Sequence, residues 1–344
     1  LKNLRGKIDE FLQDPKLSIN QRKAVEEFRD QLTTLNKGSN TSTTHGAMGI
    51  NRTLNQNAKE AYNAGKDDIG RIMTRLKQEG LQPDIDAIYN PLPNSLHAEW
   101  TIKAVQAGKH VLCEKPLALS VDQVDAMQAE AEKQDRYVVE ALMYRSHAQT
   151  EKAREIIQGG QLGKLRLVRG SFTYNGTGVD NYRLRAEMGG GCLWDVGIYP
   201  LSFARFVLGV EPEEVFGWGV TGPTGVDKSF VAQMRFPGDI HLQFDCSMAT
   251  PYHVFMEISG EEGTLVIPQP FNPGIKNTLY LSREGKNTII PVVGTSTYVG
   301  EVEAMADSIL EGKPQAVSLA DSRANVKAIQ ALFKSTQTGK PVSL

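Results

Sequence analysis

Lys115 is the residue whose type and setting first suggest chemistry. It lies in His110-Val111-Leu112-Cys113-Glu114-Lys115-Pro116, where a short apolar run of the kind that forms a buried parallel strand is followed at once by a carboxylate, an amine and a proline. Proline has no N–H for a sheet ladder and biases the residue before it toward an extended conformation. Lys115 is therefore expected at a strand's carboxyl end, the edge at which open α/β sheets bind their ligands. An amine held there can take or relay a proton, although a lone Glu-Lys-Pro is also what a solvated strand end looks like. The second such stretch is Gly189-Gly190-Gly191-Cys192-Leu193-Trp194-Asp195-Val196-Gly197-Ile198-Tyr199-Pro200. Its glycines are expected to give a flexible entry where backbone approaches a ligand closely. If the chain is helical from Cys192 onward, Asp195 and Tyr199 share one face, an acid and a phenol able to meet one substrate hydroxyl. The plainer alternative makes Asp195 a helix cap and Tyr199 a packing residue.

These residues need a scaffold, and the pattern from Pro83 to Arg145 supplies one. Asp86 to Tyr89, Val111 to Cys113 and Val138 to Glu140 read as strands. Between them lie a helix from Leu96 to Gly108 and another opened by Ser120 as N-cap with Gln123 at the capping-box position. Alternation at this spacing predicts a parallel sheet with right-handed crossovers. Asn94 and His97 then sit beyond the first strand's carboxyl end, as Lys115 sits beyond the second. After a helix from Glu151 to Gln158 the chain turns strand-rich. Strands are expected at Lys164–Tyr174, Glu213–Trp218, Ser229–Phe236, Ile240–Ser247, His253–Ser259, Thr264–Ile267, Thr278–Ser282 and Thr288–Val292, with turn signals such as Pro237-Gly238 between them. Helices at Gly300–Leu310 and Ser318–Gln337 close the chain. The fold class is α/β plus α+β: a Rossmann-like segment over 83–146 and a mostly antiparallel domain over 147–344.

Residues 1–82 read as a mainly helical region. Ser18 opens one helical pattern, and a second runs from Thr53 to Gly80. No Gly-x-Gly-x-x-Gly follows an apolar strand there; Gly46-Ala47-Met48-Gly49 is the nearest approach. Dinucleotide sites normally seat pyrophosphate on the amides of such a turn. A diverged, a replaced or a cofactor-less N-terminal region would each give this pattern, and replacement is the reading preferred from the sequence.

Composition removes several classes of function. A formal net charge of -2 argues against a broad nucleic-acid surface, which needs clustered Lys and Arg. The three cysteines, Cys113, Cys192 and Cys246, are odd in number and widely spaced, so neither a disulfide framework nor a metal site is indicated. No membrane-length apolar run and no signal-peptide pattern is found, so a reducing, cytoplasmic setting is expected. The absence of Gly-x-Ser-x-Gly and of metal-ligand spacing argues against a hydrolase.

Taken together, Asn90-Pro91-Leu92-Pro93-Asn94-Ser95-Leu96-His97, Cys113-Glu114-Lys115-Pro116, the run from Glu140 to Arg145 and the Asp195…Tyr199 spacing resemble the Gfo/Idh/MocA oxidoreductases, the family of glucose-fructose oxidoreductase and inositol dehydrogenase. The resemblance is traced from Pro83 to the C-terminus, about three quarters of the chain. The Tyr at 199, with Glu140-Ala141-Leu142-Met143-Tyr144-Arg145 and Asn181-Tyr182-Arg183-Leu184, looks closest to the xylose dehydrogenase and dihydrodiol dehydrogenase branch, though glucose-fructose oxidoreductase shares that Tyr. The resemblance implies hydride transfer between NADP or NAD and a sugar, polyol or cyclic diol. It implies Lys115, Asp195 and Tyr199 as catalytic residues, with Arg183 at the substrate rim. Glu114 would bond the nicotinamide ribose, Asn94 and His97 would line the nicotinamide side, and Lys115 and Glu140 would belong to the cofactor set. Lysine and tyrosine both titrate near 10 in isolation, so either must be lowered to act as a base near neutrality. Homo-oligomerisation through the C-terminal sheet is implied as well. The alternative is a non-catalytic binding or assembly protein on the same scaffold that has lost its dinucleotide site.

Overall fold

A computed structural model describes residues 85–176 and 181–344; the helical patterns expected within 1–82, and Gly46 to Gly49, lie outside the described residues. Residues 86–344 form one unit. Its first layer is a parallel sheet in the order β1 (Ala87–Asn90), β2 (His110–Glu114), β3 (Val138–Ala141). In the register, Asn90 lies opposite Cys113, and Cys113 opposite Glu140, so the three carboxyl ends form one edge. Val111, Leu112 and Cys113 are all buried, because the central strand is covered on both faces.

The crossover helices are α1 (His97–Gln106) and α2 (Val121–Gln134). Gly108 just beyond α1 has φ 75°, the left-handed conformation glycine adopts without a Cβ penalty. Ser120 caps α2 as expected, its Oγ accepting from the Gln123 amide at 3.3 Å. Gln123 closes the box one residue early, its Oε1 accepting from the Leu119 N–H at 2.9 Å.

The second sheet has nine strands: β4 (Leu165–Asn175), β5 (Glu214–Thr221), β6 (Asp227–Phe236), β7 (Ile240–Ser247), β8 (Ala249–Gly260), β9 (Gly263–Ile267), β10 (Lys276–Arg283), β11 (Lys286–Val293) and the short C-terminal β12 (Val342–Ser343), which the sequence did not suggest. Their order is β11-β10-β9-β8-β4-β7-β6-β5-β12. It is antiparallel except for β4 and β7, which run parallel. Strict alternation marks β6, where Phe230, Ala232, Met234 and Phe236 are buried while Val231, Gln233 and Arg235 are exposed. One face carries the helices α3 (Ala148–Gln158), α4 (Ile198–Leu208) and α6 (Leu319–Thr338). α5 (Thr297–Glu311) packs instead on the turn Met143–Ser146 that follows β3. The opposite face leaves Trp218, Val220, Val231, Tyr280 and Ile289 exposed.

Candidate active site

The loop after β2 carries Lys115, and its geometry is set from three directions. His97, at the start of α1, is fully buried and places Nδ1 at 2.7 Å from the Pro116 carbonyl and Nε2 at 2.7 Å from the Leu92 carbonyl. It thereby ties the loop after β1 to the loop after β2. Burial pushes its pKa down, against the pull of those two carbonyls. Glu140, at the end of β3, accepts from the Leu117 N–H at 2.9 Å. Asn94 donates to the Gly189 carbonyl at 2.8 Å, joining this edge to the glycine segment. Asn94, His97 and Glu140 are all 5% exposed or less. In the structure their polar groups bond backbone groups of the loops around this edge. Burial raises the Glu140 carboxyl to about 6.

Glu114 is placed differently. It is partly open at the carboxyl end of β2, where its carboxylate accepts from the Tyr89 hydroxyl and from the Lys115 N–H. Tyr298 and Glu301 of α5 lie toward it, and the Glu301 carboxyl is raised to about 8 by burial and then by Glu114.

The partner of Lys115 comes from the second stretch. Residues Leu193–Gly197 form a π-helical turn that leads into α4, a distortion often found at functional sites. Asp227 of β6 caps it, one oxygen accepting from the Leu193 N–H at 2.7 Å and from the Cys192 thiol at 3.0 Å. Asp195 is thus free of capping. The Lys115 Nζ donates both to the Asp195 carbonyl and, at 2.9 Å, to Asp195 Oδ1. The glycines before the turn are closely packed. A Cβ on Gly191 (φ 123°) would fall 2.0 Å from Asp227 Oδ1, and one on Gly190 would fall 2.4 Å from the Arg183 carbonyl oxygen.

Two further groups converge on the Asp195 carboxylate. Arg183 Nε donates to Oδ1 at 2.9 Å, and Tyr174 of β4 donates its hydroxyl to Oδ2 at 2.6 Å. Tyr174 was missed in the sequence, where it was one more residue of an imperfectly alternating strand. Burial pushes the Asp195 carboxyl up, but Lys115 and Arg183, with the hydrogen bonds from Tyr174 and Lys115, outweigh it and hold Asp195 well below the usual carboxylate range. Burial, then the Asp195 charge, pushes the Tyr174 phenol well up.

Tyr199 departs from expectation. Its ring packs among Tyr144, Phe172 and Phe271, and Lys115 Nζ sits 5.0 Å from the ring centroid. Its hydroxyl points to Met143 Sδ at 3.6 Å, not to Asp195. Burial, reinforced by Glu114 and Asp195, keeps that phenol protonated well above its ordinary range. Among the phenols of the described residues, Tyr174 is the one hydrogen-bonded to Asp195.

The chemistry of this edge suits a dinucleotide's nicotinamide end: a partly open acceptor carboxylate at Glu114 for sugar hydroxyl donors, beside an amine anchored on a fixed negative charge. Among the described residues no group of three or more His, Cys, Asp or Glu side chains is placed to hold a metal ion.

Comparison with known proteins places the chain in a family. Residues 29–142 match the family model described as oxidoreductase family, NAD-binding Rossmann fold, and residues 150–266 match that of the GFO/IDH/MocA C-terminal domain. The first match begins well upstream of Pro83, so the likeness extends across much of the stretch expected to be a replacement. D-xylose 1-dehydrogenase (NADP(+)) 2 of Haloferax volcanii is 32% identical over 284 residues, 81% of this chain and 87% of that one. Trans-1,2-dihydrobenzene-1,2-diol dehydrogenase of Bos taurus is 33% identical over 208 residues, 60% and 62% of the two chains. The crystal structure of a 3-ketoreductase from Actinomadura kijaniata with NADP and TDP-benzene superposes with a TM-score of 0.71 at 26% identity, covering 78% of this chain and 86% of that one. The chain belongs to the Gfo/Idh/MocA oxidoreductases, with an NAD-binding Rossmann domain followed by the family's C-terminal domain.

Proposed function

We propose that this protein is an NADP-dependent dehydrogenase acting on a secondary or anomeric hydroxyl of a sugar, polyol or cyclic diol. The observation that carries the reading is the Lys115 amine, seated at a strand's carboxyl end on the Asp195 carboxylate at 2.9 Å. NADP is preferred to NAD because the xylose dehydrogenase is named for it and the ketoreductase was crystallised with it. When bound, the cofactor supplies the hydride acceptor for oxidation, or the donor for the reverse reduction. Lys115 takes the hydroxyl proton as the carbon gives up hydride. Asp195, pinned by three donors, fixes where the amine points. Tyr199 supplies the second polar group: among the described residues its hydroxyl meets a thioether, a weak acceptor, and its hydrogen can turn to a substrate oxygen. A phenol kept protonated acts there as a donor. Glu114 accepts from the nicotinamide ribose, and Arg183 closes the rim.

We place the two halves of the site on segments 83–146 and 147–344, and infer a homo-oligomer that covers the open sheet face bearing Trp218, Val220 and Ile289, since apolar patches of this kind mark protein contacts. No helix among the described residues is long and apolar enough to cross a membrane, and three free, buried cysteines fit a reducing cytoplasm.

The test is a fluorescence titration with NADPH and NADH, then turnover across a panel of pentoses, hexoses and cyclic diols, on wild type and Lys115→Met. Saturable NADPH binding is expected in both proteins, with affinities within about threefold. Turnover should fall on the order of 10²–10⁴-fold in the variant. Wild-type turnover by Lys115→Met would remove Lys115 from the mechanism. Absence of NADPH binding would return the non-catalytic scaffold to favour.

A further inference from the structure

The Asp195 carboxylate oxygen that receives Lys115 also receives Arg183. Both cations sit 2.9 Å from Oδ1, in a pocket where the Lys115 and Asp195 side chains are only 11% and 8% exposed. A guanidinium stays charged at any pH an enzyme meets; a lysine ammonium can lose its proton. One carboxylate charge is therefore shared between a permanent cation and a conditional one.

We propose that Arg183 is a positioning residue that makes Lys115 competent as a base: by drawing on the Asp195 charge at the same oxygen, it removes part of the attraction that would otherwise hold the proton on the lysine. The inference rests on the reading of Lys115 as the proton acceptor, and it gives Arg183 a task other than the rim contact expected from the sequence.

The remaining polar groups around the amine do not perform that task. From β4, Tyr174 donates to Oδ2, the other carboxylate oxygen. From α4, Tyr199 offers Lys115 its ring face. Tyr182, beside Arg183, stacks under the guanidinium, 4.6 Å from ring centroid to Cζ, and so steadies it. From α1, the two His97 ring nitrogens lie beside the Pro116 and Leu92 carbonyls rather than the amine. Glu114 is the other anion nearby, and its carboxylate bonds the Tyr89 hydroxyl and the Lys115 backbone N–H rather than the Lys115 amine; Glu301 of α5 lies toward it. Of these groups, Arg183 is the cation that meets the same atom as the lysine.

A charge within about 4–6 Å of a titrating group moves its midpoint by roughly one to three pH units. The experiment follows the Lys115 amine directly, by ¹³C NMR of protein labelled at lysine Cε and assigned with Lys115→Arg, without substrate or cofactor. Arg183→Gln should raise the Lys115 titration midpoint by about one unit or more. Arg183→Lys, which keeps a cation there, should leave it within a few tenths of a unit of wild type. In turnover, the acid-side limb of the rate profile should move to higher pH in Arg183→Gln and return in Arg183→Lys. An unchanged or lowered midpoint in Arg183→Gln overturns the proposal, as does a shift equally large in Arg183→Lys. Urea unfolding of both variants separates this from packing, since a merely structural arginine would change stability without moving the midpoint. If the midpoint moves as expected but no sugar or diol is turned over, the dehydrogenase reading fails while the charge-sharing one stands.

Discussion

Asp195 and Glu140 are both carboxylates closed off from water, and both bond the loop that follows β2, Asp195 through the Lys115 amine and Glu140 through the Leu117 amide. Burial pushes each of them up. In Asp195 two cations and a phenol reverse that push; in Glu140 the Ser322 hydroxyl, the Leu117 amide and Arg145, set against Asp321, do not. One is a fixed charge at neutral pH and the other titrates near it. Burial alone makes a carboxylate reluctant to ionise, and cationic partners turn the same burial into a site.

The largest effect follows from removing the fixed charge. Asp195→Asn leaves Lys115 and Arg183 without their anion, and breaking a buried pair in this way costs about 3–5 kcal/mol. Urea unfolding at pH 7 should show it. Because Asp195 is depressed in the folded state, its stabilisation is complete above the ordinary aspartate range and is lost as pH falls through and below it. The gap between wild type and variant should therefore close toward strong acid. A gap below about 1 kcal/mol at pH 7 would mean that the pair behaves as a surface ion pair.

Glu140 has the opposite sign. Its carboxyl moves from an ordinary 4.5 up to about 6 in the fold, so the folded protein binds more protons than the unfolded chain between those values. Its contribution to stability is full below about 4.5 and is lost as pH rises through about 6, a change of about 2 kcal/mol. Glu140→Gln keeps an acceptor for the Leu117 amide and cannot ionise. The variant should lack this fall between pH 4.5 and pH 7, so its stability relative to wild type should rise across that interval. Parallel profiles for the two proteins would show that Glu140 is not the group that titrates.

Much of this arrangement was legible in the sequence, and the exceptions have physical reasons. The strands and helices from Ala87 onward lie close to their expected places because each has a local signal: Ser120 before an amphipathic run, alternation through β6, Gly108 past a helix end. Lys115 was found because a proline fixes where its strand stops. Asp195 was found by its spacing to Tyr199, although the structure built a π turn there and gave the capping task to Asp227, far away in sequence. Tyr174 and Arg183 were harder. Their bonds to Asp195 span 21 and 12 residues, and local periodicity says nothing about which side chains meet across a fold. The backbone partners of His97, Asn94 and Glu140 were hidden for the same reason. The start of the family likeness at residue 29 lay where the expected glycine pattern was absent.

The two phenols sharpen the same contrast at the smallest scale. Tyr174 donates to an ionised carboxylate at 2.6 Å, whereas Tyr199 donates to a thioether at 3.6 Å. Hydrogen bonds to charged groups contribute about 1.5–3 kcal/mol net. Contacts to weak acceptors contribute about 0.5 kcal/mol. Tyr174→Phe should therefore destabilise the protein by about 1.5 kcal/mol, and Tyr199→Phe by no more than about 0.5 kcal/mol. Turnover should rank them the other way: Tyr199→Phe removes the hydroxyl proposed to meet the substrate and should lower kcat with little change in NADPH affinity. Tyr174→Phe leaves Asp195 still anchored by Lys115 and Arg183 and should lower kcat less. Urea midpoints and steady-state rates on the two variants decide it. Equal stability losses would mean that the Asp195 carboxylate does not depend on Tyr174. A Tyr199→Phe enzyme with unchanged kcat would mean that the Tyr199 hydroxyl stays on Met143 throughout the reaction and donates nothing to the substrate.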